Sequence, residues 1–546
     1  MSLFRGRLGL ASLVLTLVIA TGAATVLWQT TRWGLGLRGD SLAYIGGARN
    51  LLSGNGYTRT TGSGQHVPIT HFPPFYAVSL AATGRLLGLD PFPAARYLHA
   101  ALFALGALLT GLAFAAISQQ PLLAPLGAFL FAADSVLIET FAWNMSEAPY
   151  LILLLGSFLL MAAYLKRRSR WILAIASLLM VLTYLTRYAG LSLFPTALLA
   201  LLAVYIGRRE DRTALAILLG ITLVPILLLS LANSLLAGSP VNRELAWHPP
   251  AIGDLRLAVR GVWEWALPAK ALAGKDPELP PYVRAFLLIS GLILALIGLL
   301  LARARQAASQ GRGLPLLHGL SLLAALHIAA YSGLLLINLT LVDASTPLDH
   351  RTLSPIYLSL LLLVGSGFAL LLRSRRRLVQ WLSLPLALAL VFTSVDDSTD
   401  VIRKIHAGGL GFSSAGWAGS PTVRAITGLP QTPLYTDQPD IVYLLTGRPA
   451  FIVFARTDPV TGLPRPDYDD WIASVRRNMC ARGARLVLFH PESLAANPAD
   501  SEMVESLTEG MQLEQRYEDG VIYRCQELSA RLNPPSGARG GAHSRR

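Results

Sequence analysis

RGDSLAYIGGARNLLSGNGY, residues 38–57, comes directly after the first long apolar run of the chain. One acidic residue, Asp40, opens a segment whose pattern predicts a short amphipathic helix closed by glycine-rich punctuation. What Asp40 means depends on the run before it. With 53% hydrophobic and 14% charged residues among 546, and a mean hydropathy of +0.50, the chain carries far less charge than the roughly one quarter usual for a soluble domain. The run therefore reads as a membrane span, and Asp40 as a candidate active-site carboxylate at a membrane surface.

A bilayer core takes about 20 apolar residues per helix. On that measure the hydropathy predicts about eleven spans, roughly 8–28, 94–116, 121–139, 147–165, 171–189, 191–207, 213–236, 284–303, 316–340, 354–373 and 379–395. Lysine and arginine gather on the cytoplasmic side of membrane proteins. That rule puts Arg5/Arg7, Lys166-Arg167-Arg168, Arg208-Arg209, Arg303/Arg305/Arg312 and Arg373 to Arg377 inside together with the N-terminus, and an odd number of spans leaves the C-terminus outside. The first run also reads as a signal peptide, since MSLFRGR precedes a stretch containing TGAAT; its length favours a retained helix, and the loop after it is outside in both readings. The net charge of +14 invites a nucleic-acid partner. The basic residues sit at the ends of apolar runs, however, and no basic–aromatic module is present, so no nucleic acid is expected.

This topology predicts a transmembrane domain over residues 1–395 with a first outer loop at 29–93 and a second at 237–283. An extracytoplasmic α/β domain comes next over 396–530, because TPLYTD (432–437) and ARLVLFH (484–490) read as short buried strands among helical stretches. Residues 531–546, rich in Pro, Gly, Ser and Arg, are expected to be a disordered tail. No internal repeat and no P-loop is visible. Only Cys480 and Cys525 occur, both in the C-terminal domain; an oxidising exterior would join them in a disulfide, and two buried unpaired thiols are the alternative. Their spacing does not suit a zinc site.

The chemistry gathers in the outer segments. After Asp40 comes HFPPFY (71–76), in which Pro73 and Pro74 break any helix and fix a turn that presents His71. DSVLIETFAWNMSEAPY (134–150) then brings Glu139 and Glu147 to the ends of adjacent spans, where an acidic group is costly unless partnered. Glu147 also reads as a helix-start residue favoured by the dipole, with Ser146 as its cap. Arg187, in LTRYAG, and His350 and Arg351, in DHRTLSP, lie on the outer side, against the positive-inside bias. Arginine holds phosphate through paired hydrogen bonds, so these are candidate lipid-phosphate ligands; anchoring to headgroups is the plainer alternative.

The order of GDSLAYIGGARNLLSGNGY, HFPPFYAVSL, SEAPYLILL, TRYAGL and DHRTLSPIYLSLLL resembles the C-type superfamily of integral-membrane glycosyltransferases, which includes protein O-mannosyltransferases and lipid A aminoarabinose transferases. The resemblance covers roughly residues 8–395 in architecture, through short and degenerate motifs. It implies a polytopic helical protein of the bacterial inner or plasma membrane, acting on its non-cytoplasmic face. The donor would be a sugar on a polyprenyl phosphate, and the acceptor a lipid, a glycan or a protein. Asp40 takes the place of the family's catalytic carboxylate, and Pro73-Pro74 shape the same pocket; from the residues themselves, Tyr44, His71, Glu139 and Glu147 are further candidates for the pocket, and Arg187, His350 and Arg351 candidates for the donor phosphate. Where relatives carry an acidic or basic residue before the prolines, this chain has His71-Phe72. Members differ in using a divalent metal, and one aspartate with scattered histidines does not define a metal site. The rival reading is a transporter or flippase of lipid-linked sugars, although the polar residues gather at one face and no repeated halves are visible. A scaffold whose C-terminal domain binds an envelope partner is a third reading.

Overall fold

The computed structural model describes residues 7–205, 210–238, 279–310, 312–343, 346–454, 465–496 and 498–525, with isolated positions between 247 and 265 and at 456. The expected tail, 531–546, and nearly all of the second outer loop lie outside the described residues. Two compact units are present: residues up to Arg59 together with Pro68–Ala418, and Thr60–Val67 together with residues from Gly419 onward.

The first unit is helical. Its helices run α1 (Arg7–Thr30), α2 (Gly39–Leu52), α3 (Phe75–Leu87), α4 (Pro91–Ser118), α5 (Leu123–Ala132), α6 (Ser135–Ala142), α7 (Glu147–Arg167), α8 (Arg170–Thr186), α9 (Leu193–Tyr205) and α10 (Glu210–Ala237). Long helices continue the unit at Leu279–Ser309, Leu316–Ile337, His350–Leu372 and Ser383–Gly408. α1 shows why they pack as they do. Its buried positions Ser12, Thr16, Ala20, Ala23 and Leu27 recur every three or four residues and are mostly small, so α4 and α5 approach closely. On the same helix Leu8, Val14, Leu15 and Val18 are exposed, as a lipid-covered flank requires. α7 lies at the centre, with Leu151, Leu154, Leu155, Phe158 and Met161 all buried.

Among the described residues, eight helices are long and apolar enough to cross a membrane, or nine if one bent pair counts as a single span. That pair, α5 and α6, occupies the expected straight span at 121–139 and is bent by 55°. Asp134 causes the break: its carboxylate accepts a hydrogen bond from Leu137 N at 2.9 Å, capping a new helix where hydropathy alone sees one continuous run. The expected spans at 171–189 and 191–207 are the shorter apolar helices Arg170–Thr186 and Tyr188–Val204. At the far end, hydropathy falls at Asp396, yet the last long helix continues to Gly408, and the two units part only after Ala418.

The second unit is α/β. Strands β3 (Leu434–Thr436), β4 (Phe451–Ile452), β5 (Arg485–Phe489), β6 (Met511–Arg516) and β7 (Gly520–Cys525) form one sheet in the order β4-β3-β5-β7-β6. β3 is parallel to both β4 and β5, whereas β7 is antiparallel to β5 and β6. β5, RLVLF, is buried from Leu486 to Phe489, as a central strand covered on both faces must be. A short hairpin of β1 (Thr58–Thr60) and β2 (His66–Pro68) is the remaining sheet among the described residues. Cys480, on the helix Tyr468–Ala481, is disulfide-bonded to Cys525 at the end of β7. Arg448 is buried and has no carboxylate partner among the described residues; its guanidinium donates to the carbonyls of Ile426, Leu429, Pro430 and Thr432 at 2.8–3.1 Å.

Candidate active site

The first unit gathers its charged side chains around a tight elbow. After α6, residues Trp143 to Ser146 turn the chain into α7, and the extended stretch before α2 lies against this turn. Gly36 N donates to Ala142 O and Asn144 N to Gly36 O, both at 2.8 Å. Gly36 is required there, because a Cβ would stand 2.5 Å from the Trp143 ring and 2.6 Å from Leu410. Next in the chain, the Arg38 guanidinium lies 4.0 Å over the Trp143 ring. Ser41 Oγ accepts from Arg38 N at 3.1 Å and donates to Asn144 O at 3.0 Å. These contacts fix the N-terminus of α2, and with it Asp40, against the N-terminus of α7, and with it Glu147.

Glu147 is 1% exposed. Its Oε1 is 2.5 Å from Arg187 Nη1 and 3.4 Å from Arg351 Nε, so one oxygen meets both cations. Arg351 Nη1 in turn reaches Asp40 Oδ2 at 3.4 Å. Asp40 is the open end of this chain, its side chain 42% exposed against 18% for Arg351 and 23% for Arg187. Ser146 does not cap α7 with its side chain, contrary to the plainer sequence reading. Its hydroxyl instead accepts from Arg187 Nη1 at 3.2 Å and pairs with Tyr44 OH at 3.0 Å. Burial pushes the Tyr44 phenol well above its ordinary pKa, so it serves as a neutral hydroxyl.

Three helix N-termini meet at these residues. Asp40 is the second residue of α2, Glu147 the first of α7, and Arg351 the second of the helix His350–Leu372, which Asp349 caps by accepting from Thr352 N at 2.9 Å. Each such end carries partial positive charge and free N–H groups, which favour a bound anion. Arg187 comes directly after the last residue of α8, where the opposite dipole end suits a cation.

The other predicted residues lie further out. His71 meets Phe72 edge-on at 4.8 Å, and Phe72 meets Tyr44 at 5.1 Å, so the His-Phe pair forms an aromatic wall beside the cluster. Pro74 directly precedes α3, and Tyr57 OH donates to the carbonyls of Phe72 and Pro73, which holds the proline turn. His350 pairs through Nδ1 with Tyr357 OH at 3.1 Å, and Tyr357 stacks on Trp265, whose Nε1 donates to Asp134 Oδ2 at 2.7 Å. Its contacts thus belong to a neighbouring aromatic group. Glu139 is half-buried within α6 and joins no hydrogen bond or ion pair among the described residues.

A buried relay beneath Tyr44 is absent from the sequence expectations. Tyr76 OH lies 2.7 Å from His99 Nε2 and 2.5 Å from Asn144 Oδ1, and His99 Nδ1 lies 2.9 Å from Phe141 O. A histidine inside the apolar α4 was its available signal. Among the described residues no three His, Cys, Asp or Glu side chains come together as a metal site.

No protein-family model and no curated protein sequence matches the chain. Solved structures do match. ArnT from Cupriavidus metallidurans bound to undecaprenyl phosphate is 16% identical, with 95% of this chain and 99% of that one covered and a TM-score of 0.53. The apo oligosaccharyltransferase of Archaeoglobus fulgidus is 12% identical, covering 96% of this chain and 75% of that one, TM-score 0.51. Arabinofuranosyltransferase AftD from Mycobacteria is 14% identical, covering 93% of this chain and 41% of that longer one, TM-score 0.50. At such identities the likeness is one of fold. This chain has the fold of the C-type integral-membrane glycosyltransferases.

Proposed function

We propose that the chain is a membrane glycosyltransferase that moves a sugar, hexose or pentose, from a polyprenyl-phosphate carrier to a hydroxyl of an envelope lipid, glycan or protein. The observation that carries this reading is the partly exposed Asp40 carboxylate beside Arg351, which with Arg187 meets Glu147 where helix N-termini converge, on the fold of an enzyme that binds undecaprenyl phosphate. In this reading Asp40 accepts the proton of the acceptor hydroxyl. The oxygen attacks the anomeric carbon, the bond from that carbon to the phosphate oxygen breaks, and the lipid phosphate leaves with its electron pair. Negative charge grows on that phosphate in the transition state, so the guanidiniums of Arg351 and Arg187 and the helix ends act where stabilisation counts most. A single displacement inverts the anomeric centre.

Reconstituted vesicles test the reading directly. Labelled sugar on a polyprenyl phosphate is expected to pass to an envelope acceptor; movement of intact lipid-linked sugar without transfer would replace the enzyme by a transporter. The placement of the site carries its own test. With basic helix ends inside and the second unit outside, a reporter active only outside the cytoplasm is expected to work when fused after Gly419 and to be silent after Arg168. The reverse pattern overturns the outer placement of Asp40.

A further inference from the structure

Glu147 cannot touch a substrate: its side chain is 1% exposed, and among the described residues neither carboxylate oxygen takes part in a hydrogen bond of good geometry. Its surroundings nevertheless bring two cations to it. Arg187 and Arg351 both reach Oε1, so their nitrogens lie no farther apart than 2.5 Å and 3.4 Å laid end to end. Guanidiniums at that range repel each other, and the carboxylate between them is what makes the arrangement stable. Arg351 has a second place to go, since Asp40 lies at the same 3.4 Å from its other edge. Its Nε is buried and makes no hydrogen bond among the described residues, so the guanidinium is held between two carboxylates without being fully satisfied by either.

We propose that Glu147 is a positioning residue: it holds Arg187 and Arg351 in convergence as a clamp for the donor phosphate, and keeps Arg351 from collapsing onto Asp40. This rests on the glycosyltransferase reading and deepens it. Two guanidiniums aimed at one point match the several oxygens of a phosphate better than either alone. The clamp also separates two duties. While Glu147 holds one edge of Arg351, Asp40 keeps a free oxygen for the acceptor; without Glu147, Arg351 pairs with Asp40 and both the anion site and the base are lost together.

The probe is undecaprenyl phosphate, titrated into the purified full-length protein in nanodiscs. Glu147→Gln, which keeps the shape and removes the charge, is expected to weaken probe binding about 10- to 100-fold. In transfer assays it should raise the donor KM and also lower kcat, since Arg351 then occupies the Asp40 base, with little change in the acceptor KM. Glu147→Asp, which keeps the charge but withdraws it, should fall between. The decisive comparison is the double variant. In an Asp40→Asn background Arg351 has lost its competing partner, so Glu147→Gln should cost less in binding than it costs alone, what remains being the lost convergence of the two arginines; a residue that merely supports the fold would give additive losses. Unchanged or tighter binding in Glu147→Gln, or additivity in the double variant, overturns the positioning role. Failure of the unaltered protein to bind the probe sinks the glycosyltransferase reading itself, and the clamp with it.

Discussion

Asp40→Asn is expected to lower sugar transfer by about 10²–10⁴-fold, the range a general base contributes, while the protein still folds and purifies as a single species. The two halves of that expectation come from different observations. A structural role would be that of a helix cap, but α2 begins at Gly39, its N-cap is Arg38, and Ser41 Oγ serves the Arg38 N–H. Asp40 therefore lies inside the first turn, where a carboxylate gains only about 0.3–1 kcal/mol from the dipole. Its contact with Arg351 is long, at 3.4 Å, and partly open to water, so its loss costs little. Asparagine fits the same space and cannot take the proton. The measurement is transfer from a polyprenyl-phosphate donor by monodisperse variants in nanodiscs. Near-normal transfer by Asp40→Asn would leave the proposed reaction without its base.

Asp40 stood out in the sequence as a candidate because a lone carboxylate directly after an apolar run has few structural reasons to be there. Arg187 and Arg351 stood out for the opposite reason, as cations on the side that membrane proteins keep poor in them. What linear reading does not supply is convergence. Nothing in SEAPYLILL states that Glu147 would face both arginines, or that Ser146 would leave its capping position unused to join Tyr44 to Arg187. Both facts depend on the Gly36–Trp143 crossing, a contact between segments more than 100 residues apart. Hydropathy failed locally at Asp134 for a related reason. Averaged over a window, one aspartate among apolar residues vanishes, although by capping α6 it bends the span by 55°. The boundary of the second unit blurred in the same way, because the last long helix continues past the end of its apolar portion. The strands at 432–437 and 484–490 were visible because short apolar runs bounded by Pro, Asp and Gly have little else to be.

The same cluster predicts an asymmetry between the two ends of its shortest ion pair. Arg187→Gln leaves the fully buried Glu147 carboxylate with Arg351 at 3.4 Å as its remaining cation among the described residues. Removing one partner of a buried pair strands the other, and the cost is expected to be about 3 kcal/mol, the lower end for such breaks because Arg351 stays. Glu147→Gln strands much less, since Arg187 is 23% exposed and a long guanidinium can turn toward water. Folding and function should then come apart in the double variant Arg187→Gln/Glu147→Gln. It contains no stranded buried charge, so it should recover most of the thermal stability lost in Arg187→Gln. It also lacks one jaw of the phosphate clamp, so undecaprenyl phosphate binding should stay weak. Thermal unfolding in detergent, with the fraction eluting as a single species, reads the first property, and probe titration reads the second. An Arg187→Gln protein as stable as the unaltered one would show that the Glu147–Arg187 pair does not hold the fold together. Full recovery of binding in the double variant would show that Arg187 does not hold the phosphate, and would leave Arg351 and the three helix ends to do so.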